Sequence, residues 1–70
     1  MNESELRKLI GERIAQRRSA LGYTLTKMAS ETGISRQAIM KIECGESSVT
    51  AWRLVKIADA LGRSVNWFVS

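Results

Sequence analysis

Apolar residues recur along this chain at intervals of three and four, and no segment alternates with the period of two that is typical of a half-buried strand. The first apolar stripe consists of Leu6, Leu9, Ile10, Ile14 and Leu21, and it leaves the arginines between them on more solvated faces. No Pro, internal repeat or low-complexity run interrupts the pattern. The pattern therefore predicts an all-α fold.

Glycines and small polar residues divide this pattern into five helices. A left-handed residue that ends a helix is expected at Gly22, Gly33, Gly45 and Gly62, whereas Gly11 lies inside a helical segment. The expected N-caps are Asn2, with Glu5 in capping-box position, Thr24, Ser35, Thr50 and Ser64. These signals place helices at about 3–21, 25–32, 36–44, 51–61 and 65–69.

The second and third helices are joined by a turn of only a few residues. Two steeply crossing helices with so short a connection approach closely, and Ala29 is small enough to allow it. Gly33 supplies the positive φ of the turn, and Ile34 enters the core just before Ser35 caps the next helix. This stretch predicts a compact helix-turn-helix.

The third helix separates into two sides on a wheel of about 100° per residue. Ala38, Ile39 and Ile42 form the apolar side, which we expect to be buried. The opposite side carries Ser35, Arg36, Gln37, Met40, Lys41 and Cys44. Such a side is either the ordinary solvated surface of an amphipathic helix or a surface that binds a partner.

The last two helices supply the remaining core positions. In the fourth helix these are Leu54, Val55, Ile57, Ala58 and Leu61. Two large aromatic residues, Trp67 and Phe68, follow in the fifth helix. They either close the core or form a partner surface.

Length and composition limit the function classes. A chain of 70 residues with 44% hydrophobic and 26% charged residues forms one soluble domain, residues 1–70, whose core is too small to enclose a large substrate pocket. There is no His, and Cys44 is the only cysteine, so an intrachain disulfide, an ordinary zinc site and histidine-based catalysis are excluded. We therefore expect no enzyme, metal or cofactor, and we expect Cys44 to be a half-buried residue at a helix end.

The formal net charge of +4 and the sequence pI of about 9.9 favour a polyanionic partner. No apolar run is long enough for a signal peptide or a membrane span. These features predict a cytoplasmic protein that does not associate with membranes.

The sequence resembles the phage repressor and Cro type of helix-turn-helix, the five-helix Xre-like DNA-binding domain. The resemblance covers the segments IGERIAQRRSALGYT, MASETGISRQAIMKIECG and LVKIADALGRSVNWFV. It depends on the order and spacing of Ala29, Gly33, Ile34, Ile39, Ile42, Glu43, Gly45, Leu61 and Gly62. The resemblance implies a lambda-repressor-like fold whose third helix enters the major groove of DNA.

The same resemblance implies roles for individual residues. The base-facing positions are Ser35, Arg36, Gln37 and Lys41. The phosphate contacts are Arg18, Thr24, Thr26, Lys27, Ser47 and Ser48. In some relatives an arginine at the position of Arg18 pairs with a glutamate at the position of Glu43, so an ion pair is expected here too.

Some positions depart from the family pattern. Leu25 replaces a glutamine that often braces the third helix. Cys44 stands where relatives often have Asn, Glu46 where a basic or polar residue is common, and Val49 where Pro is usual. Relatives bind pseudo-palindromic sites as homodimers through the region around helices four and five. A dimer surface is therefore expected at Trp52, Arg63, Trp67 and Val69.

The leading hypothesis is a sequence-specific double-stranded DNA-binding regulator, a small Cro- or repressor-like protein. One alternative is the antitoxin of a toxin–antitoxin pair, which binds both its operator and a toxin protein. Another is a protein-interaction module that keeps the fold without DNA binding, and the presence of Arg36, Gln37 and Lys41 argues against it.

Overall fold

The computed structural model describes all of Met1–Ser70 and contains five α-helices and no strand. The helices are α1 (Glu3–Ala20), α2 (Leu25–Thr32), α3 (Arg36–Glu43), α4 (Ala51–Leu61) and α5 (Val65–Val69). The predicted all-α helix-turn-helix fold is confirmed, and the predicted helix ends agree to within one residue. No helix combines the length and apolar character needed to cross a bilayer.

Side-chain caps begin four of the helices at the expected residues. Asn2 Oδ1 accepts a hydrogen bond from the Glu5 amide at 2.9 Å, and the Glu5 carboxylate accepts one from the Asn2 amide at 3.4 Å, which completes the capping box. The hydroxyls of Thr24, Ser35 and Thr50 accept from the amide three residues later at 3.0, 3.1 and 3.2 Å. Ser64 has the extended backbone of an N-cap, but its side chain makes no capping bond.

One hydrophobic core joins the helices. It contains Ile10, Ile14, Met28, Ile34, Ile39, Ile42, Leu54, Ile57, Ala58, Leu61 and Phe68. Phe68 is fully buried, so α5 closes the core. Trp67 is half-buried and packs edge-on against Phe68, with ring centroids 5.0 Å apart.

Three residues predicted to be in the core are exposed instead. Leu6 and Leu21 are 37% and 36% exposed. Leu6 lies near the start of α1, and Leu21 is its C-cap, so both lie toward the ends of the helix rather than beside the buried Ile10 and Ile14. Val55 is 55% exposed, since it lies about 110° around the helix from the centre of the α4 core stripe.

Thr32, the last residue of α2, is buried although the sequence did not indicate it. Its Oγ1 donates to the Met28 carbonyl at 2.7 Å and accepts from the Ile34 amide at 3.2 Å. The hydroxyl thus bonds back onto the last turn of α2 and satisfies the first buried amide after the turn. Gly33 between them has φ +74°, as predicted.

Gly11 lies where α1 crosses the end of α3. A Cβ at this position would be 2.7 Å from the Glu43 carbonyl oxygen and closer still to that of Ile42. Because these are backbone atoms, they cannot move aside as a flexible side chain would. This close approach explains the glycine inside a helical pattern.

Gly11→Ala is expected to lower the free energy of unfolding by about 1–3 kcal/mol, because overpacking forces α1 and α3 apart. Helix propensity alone has the opposite sign and predicts a gain of about 1 kcal/mol. Urea denaturation measures the difference. Gln16→Ala, at an exposed position of the same helix, is the control and should change stability by no more than about 0.5 kcal/mol.

Candidate nucleic-acid interface

The polar side of α3 is exposed over its whole length. Ser35, Arg36, Gln37 and Lys41 are exposed, while Ile39 and Ile42 on the other side are buried. The Ser35 cap fixes the N-terminal turn, so the side chains of Arg36 and Gln37 project from a rigid helix start. The structure therefore brings all four predicted base-facing residues onto one free surface.

Two further residues of this side are Met40, which is 48% exposed, and Cys44. The expectation that Cys44 is half-buried is wrong, because the thiol belongs to an exposed residue. Cys44 is the C-cap of α3 and follows Met40 by about one turn, so it continues the exposed side.

The start of α2 carries three of the predicted phosphate contacts, Thr24, Thr26 and Lys27, and all three are exposed. Lys27 Nζ lies 3.3 Å from Glu31 Oε1 and 4.9 Å from the centroid of the Tyr23 ring. An ion pair this exposed contributes at most about 1 kcal/mol, so it is readily exchanged for another anion. The neighbouring Leu25 is partly buried and packs against the core.

Arg18 and Glu43, the expected ion pair, are in bidentate contact. Arg18 Nε lies 2.7 Å from Glu43 Oε2, and Nη2 lies 3.1 Å from Oε1. A third bond runs from Arg18 Nη1 to the Tyr23 carbonyl at 2.9 Å. One side chain of α1 thus connects the turn before α2 with the end of α3.

The Arg18 guanidinium has its pKa raised by these hydrogen bonds to Glu43 and by the charge of the carboxylate, while burial acts in the opposite direction. A raised pKa of a cation adds stability at every pH below the ordinary pKa of the group, and this contribution is lost only as the pH rises through the raised value. Arg18 is therefore charged throughout the neutral range.

Other arginines of α1 also bind backbone carbonyls, which the sequence did not indicate. Arg17 Nε donates to the Leu61 carbonyl at 2.8 Å, at the end of α4. Arg13 Nη1 donates to the Trp67 carbonyl at 3.3 Å. These bonds satisfy carbonyls that have no partner within their own helix. The only sequence signal was the repetition of arginine on α1, and it does not identify the distant acceptors.

The loop after α3 contains the other predicted phosphate contacts, Ser47 and Ser48. Ser48 Oγ donates to Glu3 Oε1 at 3.3 Å, and the same oxygen accepts from Arg7 Nη1 at 3.0 Å. Arg7 Nε donates to the Gly45 carbonyl at 3.4 Å. Ser47 is half-buried beside α3. The loop is therefore tied to the first turn of α1.

Most cationic side chains are occupied within the protein by a carboxylate, a carbonyl or an aromatic ring. Those with no such partner are Lys8, Arg36, Lys41 and Arg53. Arg36 and Lys41 belong to α3, and Arg53 lines a groove beside α3. Lys8 packs against Gly45, just beyond the end of α3. Free positive charge is thus concentrated around one helix.

The predicted dimer residues lie on α4 and at α5. Trp52 is 65% exposed, with Lys56 Nζ 5.2 Å from its ring centroid, and Val69 is 36% exposed. Trp67 is half-buried, and the guanidinium carbons of Arg13 and Arg63 each lie 5.3 Å from its ring centroid. Trp52 therefore has the largest exposed apolar side chain of the four predicted residues, whereas the Trp67 ring packs mostly against other side chains of the domain.

No cluster of three or more His, Cys, Asp or Glu side chains is placed to hold a metal ion. The depressions on the surface instead surround α3 and are lined by its polar side chains.

A family model described as helix-turn-helix matches residues 14–68. The chain is 47% identical over 57 residues to the cryptic phage CTXphi transcriptional repressor RstR of Vibrio cholerae. The matched segment covers 81% of this chain and 51% of that protein. It is 37% identical over 76 residues to an uncharacterized transcriptional regulator in the ATPase CF(0) region of Rhodospirillum rubrum, over 100% of this chain and 70% of the relative. The chain thus spans about half to two thirds of these relatives.

Solved structures of regulators share the fold. An HTH_3 family transcriptional regulator from Vibrio cholerae superposes with a TM-score of 0.90 and 33% identity, over 96% of this chain and 38% of that one. The DNA-binding domain of BldD superposes with a TM-score of 0.84 and 25% identity, over the whole of both chains. The two sequence relatives and the Vibrio cholerae structure are transcriptional regulators, not enzymes.

The Arg18–Glu43 contact can be measured by a double-mutant cycle with Arg18→Ala and Glu43→Ala. We expect a coupling energy of about 1–2 kcal/mol in urea denaturation, because the side chains are only 21% and 11% exposed. The matched control is the Glu3–Arg7 pair, whose carboxylate is 76% exposed; its coupling should not exceed about 0.5 kcal/mol. Equal coupling in the two cycles would contradict a structural role for Arg18–Glu43.

Proposed function

Since this chain belongs to the helix-turn-helix family of transcriptional regulators, we propose that it is a sequence-specific double-stranded DNA-binding regulator. In this proposal it acts in the cytoplasm as a small Cro- or repressor-like protein whose α3 enters the major groove. The main support is that the cationic side chains left without a partner by the fold lie on α3 or next to it. The repressor role is supported by the likeness to RstR.

The N-terminal turn of α3 supplies the base contacts in this proposal. The planar fork of Arg36 suits the O6 and N7 atoms of guanine, and the amide of Gln37 suits N6 and N7 of adenine. Ser35 can bond to several bases, and Lys41 lies one turn further along the helix. Exposure of all four side chains on one face is what allows them to reach DNA when α3 lies in the major groove.

Backbone contacts come from both sides of α3. Thr24, Thr26 and Lys27 stand at the start of α2, and Ser47 and Ser48 follow α3. Arg18 uses three of its five N–H groups on Glu43 and Tyr23, so two remain for a phosphate. These contacts fix the orientation of the domain on the duplex rather than its sequence preference.

Two copies are proposed to bind a pseudo-palindromic operator with half-sites about one helical turn apart. Trp52 forms the centre of the proposed dimer surface, with Arg63, Trp67 and Val69 around it. A large exposed aromatic residue is the kind of side chain that is typical of an interface centre. Assembly is proposed to be completed on DNA.

Arg36→Ala or Gln37→Ala should each weaken binding to the preferred site by about 1–3 kcal/mol and relax the preference at one base pair. The preferred site is obtained by selection from random duplexes, and binding is measured by fluorescence anisotropy. Lys27→Ala is the contrasting variant, because loss of a phosphate contact weakens all sequences alike and reduces the salt dependence. Unchanged affinity and preference in a triple Ala variant of Arg36, Gln37 and Lys41 would disprove the assignment.

Trp52→Glu should abolish cooperative binding to a palindromic duplex. Binding to a single half-site should stay within about a factor of two, because an exposed side chain can change without unfolding the domain. Analytical ultracentrifugation of the protein with each duplex measures the stoichiometry. A single copy of the wild-type protein bound to the palindrome would contradict the dimer.

A further inference from the structure

A groove of about 220 Å³ lies between α3 and the first turn of α4. Its polar lining comes from three parts of the chain: Ser35, Gln37 and Lys41 at α3, Ser47 in the loop, and Arg53 on α4. Arg53 is the one member that the family resemblance did not assign to DNA. The groove therefore places a cation of α4 beside the proposed reading helix.

This groove is compatible with an anion and is lined by two free cations. Lys41 and Arg53 have no carboxylate partner within the protein, and no acidic side chain lines the groove. In contrast, the neighbouring depression that contains Met40 and Cys44 is also lined by Glu46. The two unneutralised cations therefore produce a local positive potential.

Hydroxyl groups add uncharged donors to the same groove. Ser35 Oγ accepts a hydrogen bond from the Ala38 amide at 3.1 Å, which leaves its own proton free to be donated. Ser47 lies half-buried in the wall of the groove. A guanidinium, an ammonium and hydroxyls that converge from different elements match the several oxygens of a phosphate.

We infer that this groove binds a phosphodiester of the DNA backbone, held by Arg53, Lys41 and Ser47, and that Lys41 therefore contacts the backbone rather than a base. Lys41 is four residues, or about 6 Å, further along α3 than Gln37. A helix that enters the major groove with its N-terminus first carries such a residue toward the edge of the groove. This inference rests on the proposed function.

The test compares two variants that remove the same charge from the same helix. Arg53→Gln changes the groove, and Lys56→Gln changes an exposed cation that lies over the Trp52 ring instead. Both are measured by fluorescence anisotropy on preferred and scrambled duplexes with a single half-site, so that pairing of two copies does not contribute. Salt is varied from about 50 to 200 mM.

We expect Arg53→Gln to weaken binding to both duplexes by the same factor, roughly tenfold, as for the loss of one charged hydrogen-bonded contact. The slope of log affinity against log salt should fall by no more than about 0.9, the value for one phosphate, because the other cation still contacts that phosphate. Lys41→Gln should behave in the same way. Lys56→Gln should have a clearly smaller effect on affinity.

A second measurement identifies the contacted phosphate. Single uncharged methylphosphonate groups are placed along the half-site. One position should weaken the wild-type protein more than the already weakened Arg53→Gln variant, because the variant has lost one of the charged contacts to that phosphate. Thermal unfolding followed by circular dichroism should be unaltered by Arg53→Gln, since that side chain is exposed and makes no internal bond.

Equal losses for Arg53→Gln and Lys56→Gln, or the same methylphosphonate response in wild type and Arg53→Gln, would overturn the inference. It would also be wrong if either Arg53→Gln or Lys41→Gln relaxed the preference at a base pair, because the residue would then contact a base. In these cases the proposed function survives, since the wild type still binds DNA. A wild-type protein that binds no duplex would instead reject the proposed function and this inference with it.

Discussion

The position of α3 depends on the close approach of α1 at Gly11, where the two helices meet with no side chain between them. The Arg18–Glu43 bonds lie along the same contact and join the two helices through charged groups that are mostly removed from water. Close backbone packing sets the distance between the helices, and the bidentate pair sets their rotation and register. The exposed side of α3 is therefore fixed by α1, although α1 is not part of that side.

The arginines of α1 extend this role to the rest of the domain. Arg17 and Arg13 bind carbonyls at the ends of α4 and α5, where the backbone has no partner of its own. A small domain has little core to stabilise its helix ends, and at the end of α4 the Arg17 bond adds to the cap that Gly62 already provides. Such arginines are unavailable to a ligand. The net positive charge consequently does not by itself locate a surface for an anion, whereas the cations without a partner are free to bind one.

Local signals account for most of what the sequence predicted. Caps such as Asn2 and Thr24 and turn glycines such as Gly33 act within a few residues, so the helix boundaries could be predicted without knowledge of the tertiary fold. The exposed side of α3 was also predictable, because helical periodicity sorts its residues. The exposure of Leu6 and the carbonyl that Arg17 contacts could not be predicted, since both depend on how distant helices are placed. The proposal that Lys41 contacts the backbone likewise depends on Arg53, which lines the same groove only in the folded chain.

These contacts also change how the departures from the family pattern are understood. Leu25 packs against the core, and the nearby Lys27 is paired with Glu31, so the start of α2 offers fewer free polar groups than the resemblance implies. On the other side of α3, Lys41 and Arg53 are both free. Because an unpaired cation does not have to give up an internal partner on binding an anion, phosphate contact on the α4 side costs less, by at most the roughly 1 kcal/mol of the exposed Lys27–Glu31 pair. The proposed backbone contacts would then involve both sides of α3, with the groove between α3 and α4 contributing somewhat more than the start of α2.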